Sequence, residues 1–249
     1  MRYFITFSYD GTAYHGWQIQ PHSVTVQEEL QKALSTLMRK PMEVVGAGRT
    51  DTGVHARKMI AHFDHDEVLD CLQLVYKLNK LLPRDIAVQH VEPVADDMHA
   101  RFSAKSRTYH YYVHLDKNPF LRSYSWQVYG NPDFELMNRA ARVLMEYKDF
   151  TSFSKVNTDT KTNDCTITEA RWDRVGEDQW RFTVTANRFL RNMVRAIVGT
   201  LMEVGRERLT IEGFRQVIEA KNRCSAGHSV PACGLYFIEA EYPETIHNA

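Results

Sequence analysis

Alternating apolar and polar residues predict strands at several places along the chain. The opening segment RYFITFSY puts Tyr3, Ile5, Phe7 and Tyr9 on one side, which is typical of a strand with one buried face. The same pattern predicts further strands near residues 42–45, 59–63, 86–91, 109–115, 166–172, 180–186 and 235–242. Because residues 166–172 and 180–186 are close in the chain, we expect them to pair as a hairpin.

Apolar residues with a helical period predict amphipathic helices between these strands. After Thr25, apolar residues recur from Val26 to Leu37, and Thr25 with Glu28 has the spacing of a capping box. A second helix is predicted around residues 74–81, where Pro83 would stop it. Three more are predicted over residues 133–145, 189–204 and 211–220.

This order of elements predicts an α+β protein. Strands paired as hairpins, with helices on one face, favour two similar α/β-sandwich halves with a mixed, mainly antiparallel sheet and a cleft between them. The hydrophobic pattern lapses around residues 101–107. We therefore predict an N-terminal domain over residues 1–104 and a C-terminal domain over residues 105–249.

The net charge does not indicate a partner, but the distribution of basic residues along the chain is informative. The chain has 31 basic and 31 acidic residues. Two stretches contain basic residues and no acid, one from Arg101 to Arg107 and one from Arg188 to Arg195. They permit a basic cleft on a neutral protein, although patchy charge also arises by chance.

Cysteine usage and hydropathy predict a cytoplasmic protein. The four cysteines contain no C-x-x-C pair, which argues against a zinc ribbon or a secreted disulfide scaffold. The N-terminus is too polar for a signal peptide, and no apolar run is long enough to cross a bilayer. We therefore expect a soluble protein that does not act in a membrane.

The segment GAGRTDTGVHA, residues 46–56, is the strongest candidate for chemistry. Glycines on both sides of Asp51 allow the backbone to bend sharply and to approach a ligand closely. The carboxylate would then be presented to a substrate. An aspartate that caps its own turn gives the same local pattern, so this segment alone leaves both interpretations open.

Several segments resemble the bacterial tRNA pseudouridine synthase A family. Residues 46–56 reproduce its G-R-T-D-x-G-V-H motif, and residues 9–18 resemble its Y-D-G-x-x-Y-x-G-W-Q motif. Residues 102–111 resemble the F-x-A…R-x-Y-x-Y segment, and residues 187–199 resemble the C-terminal helix motif. Gly234-Leu235 also fits. Collinear matches over nearly the whole chain are more specific than one short motif.

The resemblance implies an isomerase that converts uridine to pseudouridine at positions 38, 39 and 40 of tRNA, with base flipping. It implies a homodimer that needs no cofactor or metal. Asp51 would attack C1′ of the ribose or remove the 2′ proton, and the sequence does not choose between these. Tyr109 would stack on the uracil and assist deprotonation, although an alternating strand tyrosine is often core.

Arg195 is the cation expected beside Asp51. Counted backwards along a predicted helix, Arg191 and Arg188 lie at spacings that put all three arginines on one face, and Gly199 on that face permits a close approach. A solvated basic stripe would show the same spacing. Contacts to tRNA are predicted for a wider set of residues: Trp17, Gln18, Arg49, His55, Arg57, Lys58, Arg101, Lys105, Arg107, Lys155, Lys161 and Arg191. For Trp17, packing within the protein is an equal alternative.

Two other classes of function compete with this one. Asp51-Thr52-Gly53 is also the signature of aspartic proteases, but one copy would require a dimer in which two aspartates meet. A non-catalytic RNA-binding module would keep the basic cleft without a reactive carboxylate. The motifs around Asp51 and Tyr109 favour an enzyme.

Overall fold

A computed structural model describes residues 1–155 and 162–243 of the chain. The polypeptide divides into two compact units, one formed by Met1–Ser106 with residues 236–243, the other by Arg107–Leu235. Each unit combines helices with a mainly antiparallel sheet, so the predicted α+β class is confirmed.

Within the described residues, the first unit contains five strands. Strand β1 (Arg2–Tyr9) lies between β3 (His55–Asp64) and β4 (Ile86–Val94), antiparallel to both. The short strand β2 (Val45–Gly46) pairs with the far part of β3. The last strand, β9 (Leu235–Glu241), runs parallel to the start of β3. Asp51 lies in the loop between β2 and β3, so this loop connects two strands that pair with each other.

Two helices complete this unit. Helix α1 (Val26–Met38) begins where predicted, because the Thr25 hydroxyl accepts a hydrogen bond from the Glu28 N–H. Helix α2 (Cys71–Leu81) is capped in the same way by Asp70 and ends before Pro83. Leu30 and Leu34 of α1 and Leu78 of α2 are completely buried. The helical spacing of apolar residues thus predicted both helices and the face of each helix that is buried.

The first strand is more buried than its alternation indicates. Phe4 lies on the face opposite Tyr3 and Ile5, yet it is only 1% exposed. It packs with Val94, Met98 and Ala100, and Tyr242 contacts its ring edge-on. Residues from distant parts of the chain cover this second face, which a local pattern does not reveal.

The second unit contains an antiparallel sheet and three helices. Strand β8 (Gln179–Ala186) lies between β5 (Ser106–His114) and β7 (Ile167–Arg174), and the predicted hairpin is confirmed by the pairing of Trp172 with Phe182. The short β6 (Trp126–Gln127) pairs with β5 in parallel. The helices are α3 (Phe134–Val143), α4 (Met193–Gly205) and α5 (Ile211–Glu219).

The prediction that Arg188, Arg191 and Arg195 share one helix face is wrong. Helix α4 begins only at Met193, and Asn192 just before it has a left-handed backbone with φ of 67°. A residue in that conformation does not belong to a right-handed helix, so α4 cannot extend to residues before Asn192. Arg188 and Arg191 therefore lie in the preceding loop, and only Arg195 is helical.

The units differ in extent from the predicted domains. The sequence pattern placed all of residues 105–249 in the second domain, whereas residues 236–243 group with the first unit. The pairing of β9 with β3 accounts for this, since His55 is opposite Tyr236 and Ala56 is opposite Phe237. Sequence order alone does not show that the last strand returns to the first unit.

Across residues 1–155 and 162–243, no helix is both long and apolar enough to cross a membrane.

Candidate active site

Asp51 lies in the loop between β2 and β3, on a turn closed by its own backbone. The Val54 N–H donates to the Asp51 carbonyl at 3.1 Å, and Gly53 takes a left-handed φ of 77° that favours glycine. Asp51 is half-buried, whereas Thr50 and Val54 on either side are buried. The loop thus fixes its ends inside the protein and leaves the catalytic candidate partly accessible.

The N-terminal motif holds this loop in place. The Trp17 backbone N–H donates to the Thr50 carbonyl at 3.2 Å, and the Gly53 N–H donates to the Tyr14 carbonyl at 3.3 Å. The Tyr9 hydroxyl lies 2.8 Å from the Thr50 Oγ1 in a buried hydrogen bond. Residues 9–17 therefore bond the backbone on both sides of Asp51, which gives a physical reason for two sequence motifs that are far apart in the chain.

Two glycines of the N-terminal motif permit this contact. A Cβ atom on Gly11 would lie 2.0 Å from the Val54 carbonyl oxygen, and one on Gly16 would lie 2.4 Å from the Thr50 carbonyl oxygen. Gly16 also has a φ of 91°, which L-residues rarely adopt. Any side chain at either position would push the Asp51 loop away. We call residues 9–17 the clamp segment.

Tyr14 anchors the clamp segment to the end of the first unit's sheet. Its hydroxyl donates to the Asp85 carboxylate at 2.6 Å, next to the start of β4. Burial, together with this hydrogen bond to an anion, raises the pKa of Tyr14 far above its ordinary value. The tyrosine therefore stays protonated and keeps its hydrogen bond throughout the physiological pH range.

Two residues predicted to touch RNA are instead part of the core around this loop. Trp17 is 3% exposed, packs on Phe7, and fills the space above Gly46, where a Cβ would come within 2.7 Å of the indole. His55 is 2% exposed and stacks on Tyr236, with its Nδ1 3.1 Å from the Gly11 nitrogen. Neither ring is accessible for stacking on a base.

Other predicted RNA contacts in the first unit are exposed. Arg49 lies two residues before Asp51, and Gln18 follows the clamp segment. The Arg57 guanidinium lies over the Tyr236 ring, and Lys58 is 3.7 Å from the Glu239 carboxylate. Arg101 and Lys105 are exposed on the loop that precedes β5. These side chains remain accessible to a polyanion.

Tyr109 and Arg195 belong to the second unit. Tyr109 is on β5, is 8% exposed, and meets the ring of Phe189 edge-on at 5.0 Å between centroids. Arg195 lies in the first turn of α4, where its Nε–H donates to the Val230 carbonyl at 2.7 Å. The Val230 N–H donates in return to the Arg195 carbonyl at 3.3 Å. The guanidinium is therefore oriented by backbone.

The segment of residues 227–231 positions Arg195 and was not predicted from the sequence. Besides its bonds to Arg195, this segment accepts a hydrogen bond from the Tyr111 hydroxyl at the Pro231 carbonyl, 2.7 Å away. It crosses α4 at Gly199, where a Cβ would lie 1.8 Å from the His228 carbonyl oxygen. Gly199 does permit a close approach, but to this segment of backbone. Gly227 and Pro231 were the only local signals in the sequence.

The remaining basic candidates of the second unit differ in accessibility. Arg107 is 9% exposed and donates to the Asn187 carbonyl at 2.8 Å, so it stabilises the strand end. Arg191 and Lys155 are exposed, and the Lys155 N–H donates to the Arg191 carbonyl at 3.1 Å. Lys161 lies outside the described residues.

The histidine, cysteine and acidic side chains of the described residues were searched for a metal site. Within the part of the chain that the structure describes, no group of three or more of them could hold a metal ion. His62, for example, is 5% exposed. Its Nδ1 accepts a hydrogen bond from the Ala100 N–H at 3.2 Å, which is a structural role.

The comparisons with known proteins identify the class to which this fold and loop belong. The family model described as tRNA pseudouridine synthase matches residues 5–103 and 140–243. The chain therefore belongs to the tRNA pseudouridine synthase family, which is a family of isomerases.

Individual relatives carry a more specific name. The chain is 61% identical to tRNA pseudouridine synthase A of Bacteroides thetaiotaomicron over 98% of this chain and 92% of the relative. It is 57% identical to the protein of that name from Parabacteroides distasonis, over 98% of this chain and 97% of the relative. It is 41% identical to that of Bacillus licheniformis, over 97% of this chain and 99% of the relative.

Proposed function

We propose that this protein converts uridine to pseudouridine in tRNA, at positions 38, 39 and 40 of the anticodon stem-loop, with Asp51 as the catalytic carboxylate. The observation that carries the proposal is the placement of Asp51 on a half-buried turn whose two sides are bonded to the clamp segment. An aspartate that only capped a surface turn would not require hydrogen bonds from a distant segment on both sides of it.

The reaction rearranges bonds without adding or removing atoms. The bond between N1 and C1′ breaks, the uracil turns, and a bond forms between C5 and C1′. The proton on C5 is then lost, and N1 gains one. No redox step occurs, so the chemistry requires an anionic group at the sugar and a means of moving a proton. Asp51 supplies the first, either by attack on C1′ or by removal of the 2′ proton.

We assign catalytic roles to Arg195 and Tyr109 as well, as the family resemblance implies. The backbone bonds between Arg195 and Val230 fix the guanidinium, which suits a residue that binds an anion. Tyr109 presents a rigid ring and a hydroxyl, suited to stacking on a flipped uracil and to helping remove the C5 proton. Both assignments come from the family resemblance together with these contacts.

Exposed basic side chains would offset the cost of flipping a base out of a stem, which is a few kcal/mol. We assign this role to Arg49, Arg57, Lys58, Arg101, Lys105, Lys155 and Arg191, all of them exposed. Trp17, His55 and Arg107 are not assigned this role, because the two rings pack against Phe7 and Tyr236 and the Arg107 guanidinium bonds to the Asn187 carbonyl. The family resemblance also supports a homodimer that acts on tRNA in the cytoplasm.

Release of tritium from C5 of uridine-labelled tRNA tests the proposal. Wild-type protein should release tritium without any added cofactor, and Asp51→Asn should release none while it still binds tRNA. Asp66→Asn is a matched control, since Asp66 is an exposed carboxylate of the same unit that pairs with Lys40. It should retain the wild-type rate.

The alternatives predict other results. A non-catalytic RNA-binding module would bind tRNA equally well in all three proteins and release no tritium. An aspartic protease would cleave a peptide substrate in a pepstatin-sensitive way, and Asp51→Asn would abolish that cleavage. Either result would overturn the proposal.

A further inference from the structure

The loop of residues 99–103 in the first unit exposes a large aromatic side chain. Phe102 is 76% exposed, although a phenylalanine normally gains stability from burial. Single exposed apolar side chains are common on protein surfaces, so the case for a binding role depends on how the ring is held and on the charges beside it. We call this segment the Phe102 loop.

The exposure of Phe102 is not the result of a loosely held loop. The His99 N–H donates to the Ser103 Oγ at 2.9 Å, and the Ser103 N–H donates to the His99 carbonyl at 2.9 Å. The Ala100 N–H donates to the His62 Nδ1 at 3.2 Å. The N–H groups of Arg101 and Phe102 both donate to the His99 Nδ1, at 3.1 and 3.3 Å. Every backbone N–H in the Phe102 loop is thus bonded.

The imidazole of His99 orients the phenyl ring as well as the backbone. The two ring centroids are 4.4 Å apart, and the His62 ring also contacts His99, at 4.5 Å between centroids. Burial, with the charges of Arg2 and Arg101, lowers the pKa of His99, so the ring stays neutral and its Nδ1 remains an acceptor. The phenyl ring is therefore presented in a fixed orientation, which reduces the entropy lost when a ligand binds.

The charge around the ring indicates what kind of ligand fits. The Arg101 guanidinium carbon is 5.6 Å from the Phe102 ring centroid, and the Lys105 side chain is exposed. No acidic residue occurs between Met98 and Arg107. An exposed aromatic ring beside arginine and lysine suits a nucleobase together with its phosphate, because the base stacks and the cations neutralise the anion.

We propose that Phe102 forms a nucleobase-stacking subsite for the tRNA, in which Arg101 and Lys105 bind the adjoining phosphates. This inference rests on the proposed function, since it takes tRNA as the ligand. The subsite contributes to binding and positioning of the RNA. It takes no part in the bond changes at Asp51.

Equilibrium binding of an unmodified tRNA transcript tests the subsite without any need for turnover. Phe102→Ala should weaken binding about tenfold, the typical effect of losing one stacked base. Phe102→Leu should show a similar loss, since leucine keeps apolar bulk but cannot stack. Phe102→Tyr should restore wild-type affinity. Arg101→Ala should weaken binding and lower the salt dependence by about one phosphate contact.

A tryptophan at this position adds a spectroscopic readout. In Phe102→Trp the fluorescence should be quenched by tRNA more than in the wild type, because the indole stacks on a base. Leu72 provides the matched control, since it is 83% exposed in the same unit but lies close in sequence to Asp66, Glu67 and Asp70. Leu72→Trp should show no additional quenching, and Leu72→Ala should bind tRNA like the wild type.

The failure of this inference is distinguishable from the failure of the proposed function. Equal affinity of wild type, Phe102→Ala and Phe102→Leu, or no added quenching in Phe102→Trp, would overturn the subsite even if the wild type releases C5 tritium. Weakened binding by Phe102→Ala with no tritium release from the wild type would support the subsite and reject the isomerase.

Discussion

Replacement of Gly16 by alanine tests whether the clamp segment positions Asp51. A Cβ at Gly16 would lie 2.4 Å from the Thr50 carbonyl oxygen, whereas ordinary contact begins at 3.4 Å, so the two backbones must separate by about 1 Å. A shift of that size in a catalytic group lowers a rate by about 100-fold. The backbone strain of a positive φ adds about 1–2 kcal/mol of destabilisation.

Gly130 is a matched control for the strain. Its φ is 85°, close to the 91° of Gly16, but an added Cβ would meet nothing within 4 Å. Gly130→Ala should therefore carry the strain alone and retain the wild-type rate of tritium release. Gly16→Ala should lose about 100-fold in kcat/KM and should be less stable than Gly130→Ala by a further ~1–3 kcal/mol, the typical cost of overpacking.

The two measurements are C5-tritium release and urea unfolding followed by tryptophan fluorescence. Wild-type activity in Gly16→Ala would show that the clamp segment does not position Asp51, because the loop would then tolerate displacement. Equal losses of activity in both variants would also refute it, since strain and not the close approach would then be responsible.

Three further substitutions have defined outcomes. Tyr109→Phe should lower the rate at least ~100-fold with unchanged tRNA affinity if its hydroxyl helps to move a proton, and a full rate would leave only a stacking role. Arg195→Ala should abolish turnover in single-turnover assays. Its free energy of unfolding should fall by only about 1 kcal/mol, because the hydrogen bond to the Val230 carbonyl is lost. Near-normal turnover would remove Arg195 from the mechanism. Burial lowers the pKa of His62 from 6.5 to about 4. Between these values the unfolded chain binds a proton that the folded chain does not. The free energy of unfolding should therefore be highest above pH ~6.5 and should fall by about 3 kcal/mol as the pH drops towards 4. His62→Asn, whose Oδ1 can still accept from the Ala100 N–H, should flatten this pH dependence of urea unfolding, and an unchanged slope would show that His62 is not its source.

Elements whose signals are local were predicted well. The cap at Thr25, the helix stop before Pro83 and the hairpin of β7 with β8 all follow from short stretches of sequence. Each depends on backbone hydrogen bonds or turn residues within a few positions. The α+β class follows from their order.

Features that depend on distant contacts were missed. The burial of Phe4 depends on residues near Ala100 and Tyr242, and the return of β9 to the first unit depends on pairing with β3. The start of α4 was predicted too early, because the left-handed Asn192 carries no strong signal in the sequence. Apolar spacing extended that helix back to residue 189, and the spacing of the arginines added Arg188 to its face.

Residue type predicted the candidate site only in part. Asp51 and its glycine-rich loop stood out, but the sequence did not show that Gly11 and Gly16 let the clamp segment contact this loop. Trp17 and His55 were assigned to RNA because aromatic and basic side chains suit that role. Both are instead buried, because Trp17 packs on Phe7 and His55 stacks on Tyr236.

We propose that Asp51 is the catalytic carboxylate of an isomerisation of uridine in tRNA that needs no cofactor. Nucleoside analysis of a tRNA transcript incubated with wild type or Asp51→Asn tests it most directly, with no cofactor added. We predict that wild type converts uridine to an equal amount of pseudouridine within the anticodon stem-loop, and that Asp51→Asn, still folded and still binding tRNA, forms none. Pseudouridine formation by Asp51→Asn at the wild-type rate, or none by the wild type, would contradict the account.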